Sequence, residues 1–162
     1  MKTIGILSDT HGSIPKQVYD FFAPCDELWH AGDLGHGVLE ELQAFKPLKA
    51  VYGNMDDYAL HYELPETRLF VCEGLKVLMT HIGGWPGHYQ ATLLPILRND
   101  KPDIFVCGHT HILRVMYDKE YNLLHINPGA AGRTGIHKSA TLVRFVIDGS
   151  PRDMEVCDFP KI

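Results

Sequence analysis

The sequence lacks a cysteine pair at metal or redox spacing, a long apolar run and any surplus of positive charge, and each absence removes a class of function. Its four cysteines, Cys25, Cys72, Cys107 and Cys157, are scattered with no C-x-x-C pair. That argues against a thiolate zinc site or a disulfide framework and reads as buried free thiols in a cytoplasmic protein. No stretch approaches the roughly 18 apolar residues of a membrane span. The opening segment has neither the apolar core nor the cleavage site of a secretory signal. Fifteen Lys and Arg against twenty Asp and Glu give a formal charge of -5, so long nucleic acid finds no electrostatic footprint. No G-x-x-x-x-G-K-[ST] loop is present, which removes the usual nucleoside triphosphate site. With 162 residues, 45% of them apolar, the chain is expected to form one globular domain over 1–162, and disorder and coiled coil are excluded by composition.

The abundant residue is histidine, of which there are ten. Periodicity places them. Lys2–Ser8 predicts a buried strand, Pro15 to about Ala23 a helix, Glu27–Ala31 a strand, Val38–Phe45 a helix and Leu48–Tyr52 a third strand. This β-α-β-α-β alternation implies parallel strands with right-handed crossovers. The second half predicts a hairpin, Leu69–Cys72 with Leu75–Thr80 around Glu73-Gly74, then a helix from Tyr89 to Arg98 and a strand Ile104–Cys107. Two further pairs, Arg114–Tyr117 with Leu123–Ile126 and Thr141–Ile147 with Met154–Cys157, read as antiparallel. Mixed strands with helices between them suggest an α/β sandwich of two packed sheets.

Polar residues gather where the strands stop. The first ends at Asp9-Thr10-His11, the second at Gly32-Asp33, the third at Gly53-Asn54-Met55-Asp56, and later ones at Thr80-His81 and Gly108-His109-Thr110-His111. Carboxyl ends of parallel strands form the crevice in which α/β proteins bind ligands. Singly, each piece has a bland reading: Asp-x-His as a helix cap, Gly-Asp and Gly-Asn as turns. In Gly-His-Thr-His, alternate residues of an extended segment point to one side and can converge on one ion. Together, in this order, they form a cluster of nitrogen and oxygen ligands without sulfur.

Asp9, His11, Asp33, Asn54, His81, His109 and His111 are too many for one tetrahedral zinc. They suffice for two divalent ions if one carboxylate bridges. Such a pair activates a bridging water and clamps the oxygens of an in-line phosphoryl displacement. Thiolate-free ligands suit Mn²⁺, Fe, Zn²⁺, Ni²⁺, Co²⁺ or Mg²⁺, with Mn²⁺ favoured.

These five segments, in order over residues 2 to about 135, resemble the calcineurin-like metallophosphoesterase superfamily. The short chain and the Asn127-Pro128-Gly129 segment are similar to its small bacterial and archaeal phosphodiesterase branch, to which a eukaryotic retromer scaffold subunit is related. The resemblance implies a four-layered α/β/β/α sandwich of two mixed sheets flanked by helices, making 1–162 a single metallophosphoesterase domain. It implies that Asp9, His11 and His111 hold one metal, that Asn54, His81 and His109 hold the other, and that Asp33 bridges. The implied activity is hydrolysis of a small phosphodiester by attack of a metal-bridging hydroxide.

One position departs from the pattern. Many members carry His after the Asn, thought to protonate the leaving group, with an acidic residue that orients it; this chain has Met55 and Asp56. Asp56 is the one candidate catalytic carboxylate, with loop-holding as its alternative. Without a positioned acid, good leaving groups are expected to react best. His30 reads as a buried or supporting histidine. His36 and His88 lie in loops that can reach the rim. Trp85 either stacks on an aryl group or base or closes its loop, and Arg133 reads as a surface charge. His61, His125 and His137 match no role. A phosphomonoesterase on the same site and a non-catalytic scaffold are the competing functions, and exposed edge strands would permit a homo-oligomer.

Overall fold

The computed structural model describes residues 1–161. Its elements run β1 (Lys2–Leu7), α1 (Lys16–Phe22), β2 (Glu27–His30), α2 (Val38–Phe45), β3 (Leu48–Ala50), α3 (Tyr58–Glu63), β4 (Thr67–Cys72) and β5 (Leu75–Thr80). A 3-10 turn (Ala91–Leu93) leads into α4 (Leu94–Asn99), followed by β6 (Ile104–Val106), β7 (Leu113–Asp118), β8 (Leu123–Pro128), β9 (Ser139–Ile147) and β10 (Pro151–Pro160). Two mixed five-stranded sheets result, ordered β10-β9-β1-β2-β3 and β4-β5-β6-β8-β7. The expected α/β sandwich is the observed fold.

Strand alternation builds its layers. Ile4 and Ile6 of β1 turn inward with Trp29, Val77, Met79, Ile104, Val106 and Phe145 to form the core between the sheets. Leu7, one residue out of phase, faces the other way and packs with Val18 and Phe22 of α1, Leu39 and Leu42 of α2 and Leu60 of α3. A smaller cluster, Leu78, Phe105 and Leu123 against Leu93 and Leu97, seats α4 on the outer face of the second sheet. Each fully buried Leu, Ile or Phe contributes about 1.5–3 kcal/mol. Helix α1 lies so close to β1 that a Cβ on Gly5 would stand 2.6 Å from the Phe22 ring.

The structure corrects several boundaries. Helix α3 has no counterpart in the periodicity, because Leu60 is its one buried residue. Its start is set instead by the Asp57 side chain, which accepts from Leu60 N at 3.1 Å. The expected helix from Tyr89 begins later, at Ala91, and opens as a 3-10 turn. Pro95, in the first turn of α4, fits there because its missing N–H is not needed. The final hairpin is longer than expected, with β10 running from Pro151 to Pro160 across an irregularity between Arg152 and Glu155. The third strand stops at Ala50, two residues early.

This topology positions the site. β1, β2 and β3 are mutually parallel in one sheet, as are β5, β6 and β8 in the other. Their carboxyl ends are stitched across the sandwich by Ala131 N to Ser8 O (2.8 Å) and Gly132 N to Asp9 O (3.2 Å).

Candidate metal centre

The chain turns sharply where each of these strands ends. Asp9, His11, Asp33, His109 and His111 all have φ between 47° and 71°. The left-handed region is one that non-glycine residues enter rarely and at a cost, and such strain collects at functional sites. Glycines supply the close approaches beside these turns. A Cβ on Gly32 would sit 2.6 Å from His81 Nδ1, and those on Gly53 and Gly108 would collide with Asp33 and Ser8. The Gly-Asp, Gly-Asn and Gly-His pairs therefore have a packing reason.

Asp9 is fully buried. Its Oδ2 accepts from Ser8 Oγ (2.7 Å) and from the His109 backbone N–H (3.1 Å). Its Oδ1 faces three imidazoles: His111 Nε2 at 3.3 Å, His11 Nε2 at 3.7 Å and His81 Nε2 at 3.8 Å. Asp33 is fixed through Oδ1 by the Met55 N–H (2.8 Å) and turns Oδ2 to His81 Nε2 (3.1 Å) and His11 Nε2 (3.7 Å). Asn54 Oδ1 lies 3.1 Å from His109 Nδ1. All seven expected ligands are thus brought together, and they sort into Asp9, His11 and His111 on one side and Asp33, His81 and His109 on the other, with Asn54 joining the second.

Several of these atoms have no hydrogen-bond partner. Asp9 Oδ1, His11 Nε2 and His81 Nε2 are buried and unpaired, a costly arrangement unless a cation satisfies them. Ligand atoms about 2.0–2.2 Å from an ion lie roughly 3–3.6 Å from one another, close to the separations seen. The residues therefore fit divalent metal. Hydrogen bonds behind them orient the lone pairs: Ala31 O accepts from His81 Nδ1–H at 2.7 Å, which turns Nε2 to the site.

The electrostatics agree. Burial alone would raise the Asp9 carboxyl, but His11, His111 and His81 around it hold it well below the usual carboxylate range. Burial, the largest single influence on His81, would lower it, but the Asp33 and Asp9 carboxylates together outweigh burial and raise it. The Asp9 carboxylate raises His11. His109, beside His81, is lowered, chiefly by burial.

The other sequence candidates separate clearly. Both Asp56 oxygens are occupied, Oδ2 by Gly53 N (2.8 Å) and Leu34 N (3.2 Å) and Oδ1 by Gly35 N (3.0 Å). That geometry fits the loop-holding alternative for Asp56, a clamp on two ligand-bearing loops. His30 is fully buried, accepts from Gly32 N (3.1 Å) and meets Thr10 Oγ1 (3.0 Å). Burial lowers it to about 3, so it is a neutral brace. His36, His88, Arg133 and His137 are exposed. Reading the sequence missed His61, which stacks on Tyr52 at 4.0 Å and reaches Gly53 O at 3.2 Å. Asn127 was named there only within its Asn-Pro-Gly segment; its amide donates to Gly108 O and Thr110 Oγ1, both at 3.0 Å.

Residues 1–150 match the calcineurin-like phosphoesterase superfamily domain. The chain belongs to this superfamily. This calcineurin-like phosphoesterase is 32% identical over 163 residues, 94% of its chain and 90% of the relative, to a probable metallophosphoesterase of Methanothermobacter thermautotrophicus. Its fold is that of an archaeal phosphodiesterase (TM-score 0.77, 22% identity, 97% of this chain and 99% of that one). It is also that of Vps29 from Entamoeba histolytica complexed with Zn²⁺ (TM-score 0.72, 20% identity, 96% and 98% covered). At the family level this calcineurin-like phosphoesterase is a metal-binding hydrolase of phosphoric esters. No helix among the described residues is long and apolar enough to cross a membrane.

Proposed function

We propose that the protein is a dinuclear phosphodiesterase, with Asp9, His11 and His111 holding one divalent cation, Asn54, His81 and His109 holding the other, and Asp33 between them. The observation that carries this reading is the convergence of the unpaired Asp9 Oδ1, His11 Nε2 and His81 Nε2. Bound metals would supply an activated water and polarise the phosphoryl oxygens. Mn²⁺ is the proposed ion, since the carboxylate and amide-oxygen ligands suit it.

The chain's own residues do the positioning. Ser8 and the His109 N–H fix Asp9, Met55 N–H fixes Asp33, and Asp56 clamps the Gly35 and Gly53 turns. Two divalent ions carry four positive charges, and Asp9 and Asp33 cancel two, leaving a net charge that suits a phosphodiester anion. Met55 is 70% exposed beside the ligands and has no proton to give. The favoured substrates are therefore small diesters with stable leaving groups.

The whole chain, 1–162, acts in this reading as one domain in the cytoplasm, which its four free cysteines support. The open edge strand β7, with exposed Met116 and Tyr117, supports association with further copies. The second reading is a binding role without turnover. Met55 and the likeness to zinc-bound Vps29 favour it.

The test is hydrolysis of bis-p-nitrophenyl phosphate and p-nitrophenyl phosphate by metal-stripped protein, with Mn²⁺, Ni²⁺, Zn²⁺ or Mg²⁺ restored singly. Metal-dependent turnover favouring the diester supports the phosphodiesterase. Preference for the monoester supports the phosphomonoesterase, and a folded protein inert with every metal supports the scaffold.

A further inference from the structure

The segment from Gly108 to Arg114 is a wall between the metal centre and a cavity that the account above leaves unused. His109 and His111 turn to one side of it and join the ligand groups. The alternate residues Thr110, Ile112 and Arg114 line the other side, a cavity of about 130 Å³ closed over by Trp85. In the β7–β8 register Arg114 lies opposite Asn127 and Val115 opposite Ile126. Val115 and Ile126 pack into the core between the sheets, so Arg114 stands on the outer face of the second sheet. Trp85 and Thr110 also line an adjoining cavity of about 270 Å³ that reaches Gly108 and His109. A molecule held at the metals therefore has a path over Thr110 to Arg114.

Arg114 is unlike the other half-buried arginines, Arg68 and Arg144. Arg68 donates twice to Ala50 O. Arg144 donates to Phe21 O and pairs with Glu155. Among the described residues the Arg114 guanidinium has neither a hydrogen bond nor an ion pair. It lies over the Trp85 ring at 5.4 Å, a placement that steadies the cation and leaves its fork of N–H groups free. A charge taken partly out of water without a partner is costly, and an arriving anion offsets that cost.

A second donor stands beside it. Gly129 N–H donates to Asn127 Oδ1 and so fixes that amide, whose Nδ2 donates to Thr110 Oγ1 at 3.0 Å. Ile112 N donates to the same oxygen at 3.2 Å. With both lone pairs engaged, the Thr110 hydroxyl keeps its own proton to donate. No carboxylate lines either cavity, in a chain with twenty acidic residues. His125 beneath them is held neutral by burial, so Arg114 sets the charge of the space. Two donors and one uncompensated positive charge suit an oxyanion, and the guanidinium fork matches phosphate in particular.

We propose that Arg114, with the Thr110 hydroxyl, is a subsite for a second phosphate group of the substrate, joined by a short linker to the phosphodiester at the metals. The wall of residues 108–114 separates Arg114 from the reacting phosphoryl group, so Arg114 selects the substrate and takes no part in the bond broken. The favoured substrates are small diesters that carry an additional phosphate. This deepens the phosphodiesterase reading and rests on it.

The test is binding of thymidine 3′,5′-bisphosphate against thymidine 5′-monophosphate, which differ by one phosphate, to the Mn²⁺-loaded protein at fixed ionic strength. The bisphosphate is expected to bind about tenfold tighter and to shift the emission of Trp85. That preference should fall to near one in Arg114→Gln and recover in part in Arg114→Lys. It should persist in Arg98→Gln, which removes an exposed positive charge on α4. Equal binding of the two nucleotides, or a preference that survives Arg114→Gln, overturns the subsite. A preference lost equally in Arg98→Gln, or lost only together with bound Mn²⁺ counted on the same samples, overturns it too.

A parallel assay compares thymidine 3′-phosphate 5′-(p-nitrophenyl phosphate) with thymidine 5′-(p-nitrophenyl phosphate), which share a nucleoside and a leaving group. A higher kcat/KM for the ester with the extra phosphate, lost in Arg114→Gln, supports the subsite. Equal kcat/KM for the two esters overturns it alone. Preferential binding of the bisphosphate without any diester turnover overturns the phosphodiesterase reading and leaves the anion subsite standing.

Discussion

The backbone N–H of His109 donates to Asp9 Oδ2 at 3.1 Å, joining residues one hundred positions apart and from different sheets. One member of each ligand group is therefore held by the other. Filling either group should firm the second, so Mn²⁺ binding is expected to be cooperative. By mass action, each Mn²⁺ at a hundredfold over its Kd adds about 2.7 kcal/mol. For a chain of this size that raises Tm by about 5–10 °C per ion in a thermal melt. A melt indifferent to every divalent metal would contradict the fit of these residues to cations.

Asp56 is expected to act on structure and not on protons. Asp56→Ala leaves the N–H groups of Leu34, Gly35 and Gly53 without their acceptor, which should cost about 2–4 kcal/mol of stability. Asp56→Asn should weaken metal binding while leaving the shape of the pH–rate profile unchanged. Disappearance of one limb of that profile would restore the catalytic role.

The absence of an acid at Met55 should appear in the leaving group. Across substituted aryl phosphodiesters the rate is expected to fall steeply as leaving-group pKa rises. Met55→His should recover some of the roughly 10²–10⁴-fold that general acid catalysis supplies, most of all for the poorest leaving groups. A flat dependence in the parent protein would mean that another residue already provides the proton.

Much of the site could be read from the chain because each ligand follows directly on an apolar strand. Asp9, Asp33 and the His109–His111 pair sit at turns that glycine neighbours and strand ends mark together. The partners of the loop supports were not visible. Asp56 looks like a second half of the Asn54 segment, and only the fold shows its carboxylate reaching back to Leu34 and Gly35. Helix α3 escaped because exposed Tyr58 and Tyr62 leave no apolar stripe. The cavity beneath Trp85 depends on the β7–β8 register, which pairs residues that no local pattern connects.

His125 gives the fold a calculable pH dependence. Burial lowers it to about 4 in the folded protein, against about 6.5 unfolded. Below 6.5 the unfolded chain takes up a proton that the folded chain refuses, so stability is full above that pH and falls on the way to pH 4. In urea titrations, the parent should lose up to about 3 kcal/mol relative to His125→Phe between pH 7 and pH 4. Parallel slopes for the two proteins would show that His125 is protonated in the fold.

The paired-ion site is tested most directly by counting Mn²⁺ per chain in protein and in Asp33→Asn, with bis-p-nitrophenyl phosphate turnover measured on the same samples. The expected result is two ions per chain in the parent, fewer in the variant, and a loss of turnover of about a hundredfold or more. One ion per chain with full activity, or an Asp33→Asn variant that keeps both ions and its rate, would contradict a centre built on Asp33 as the shared carboxylate.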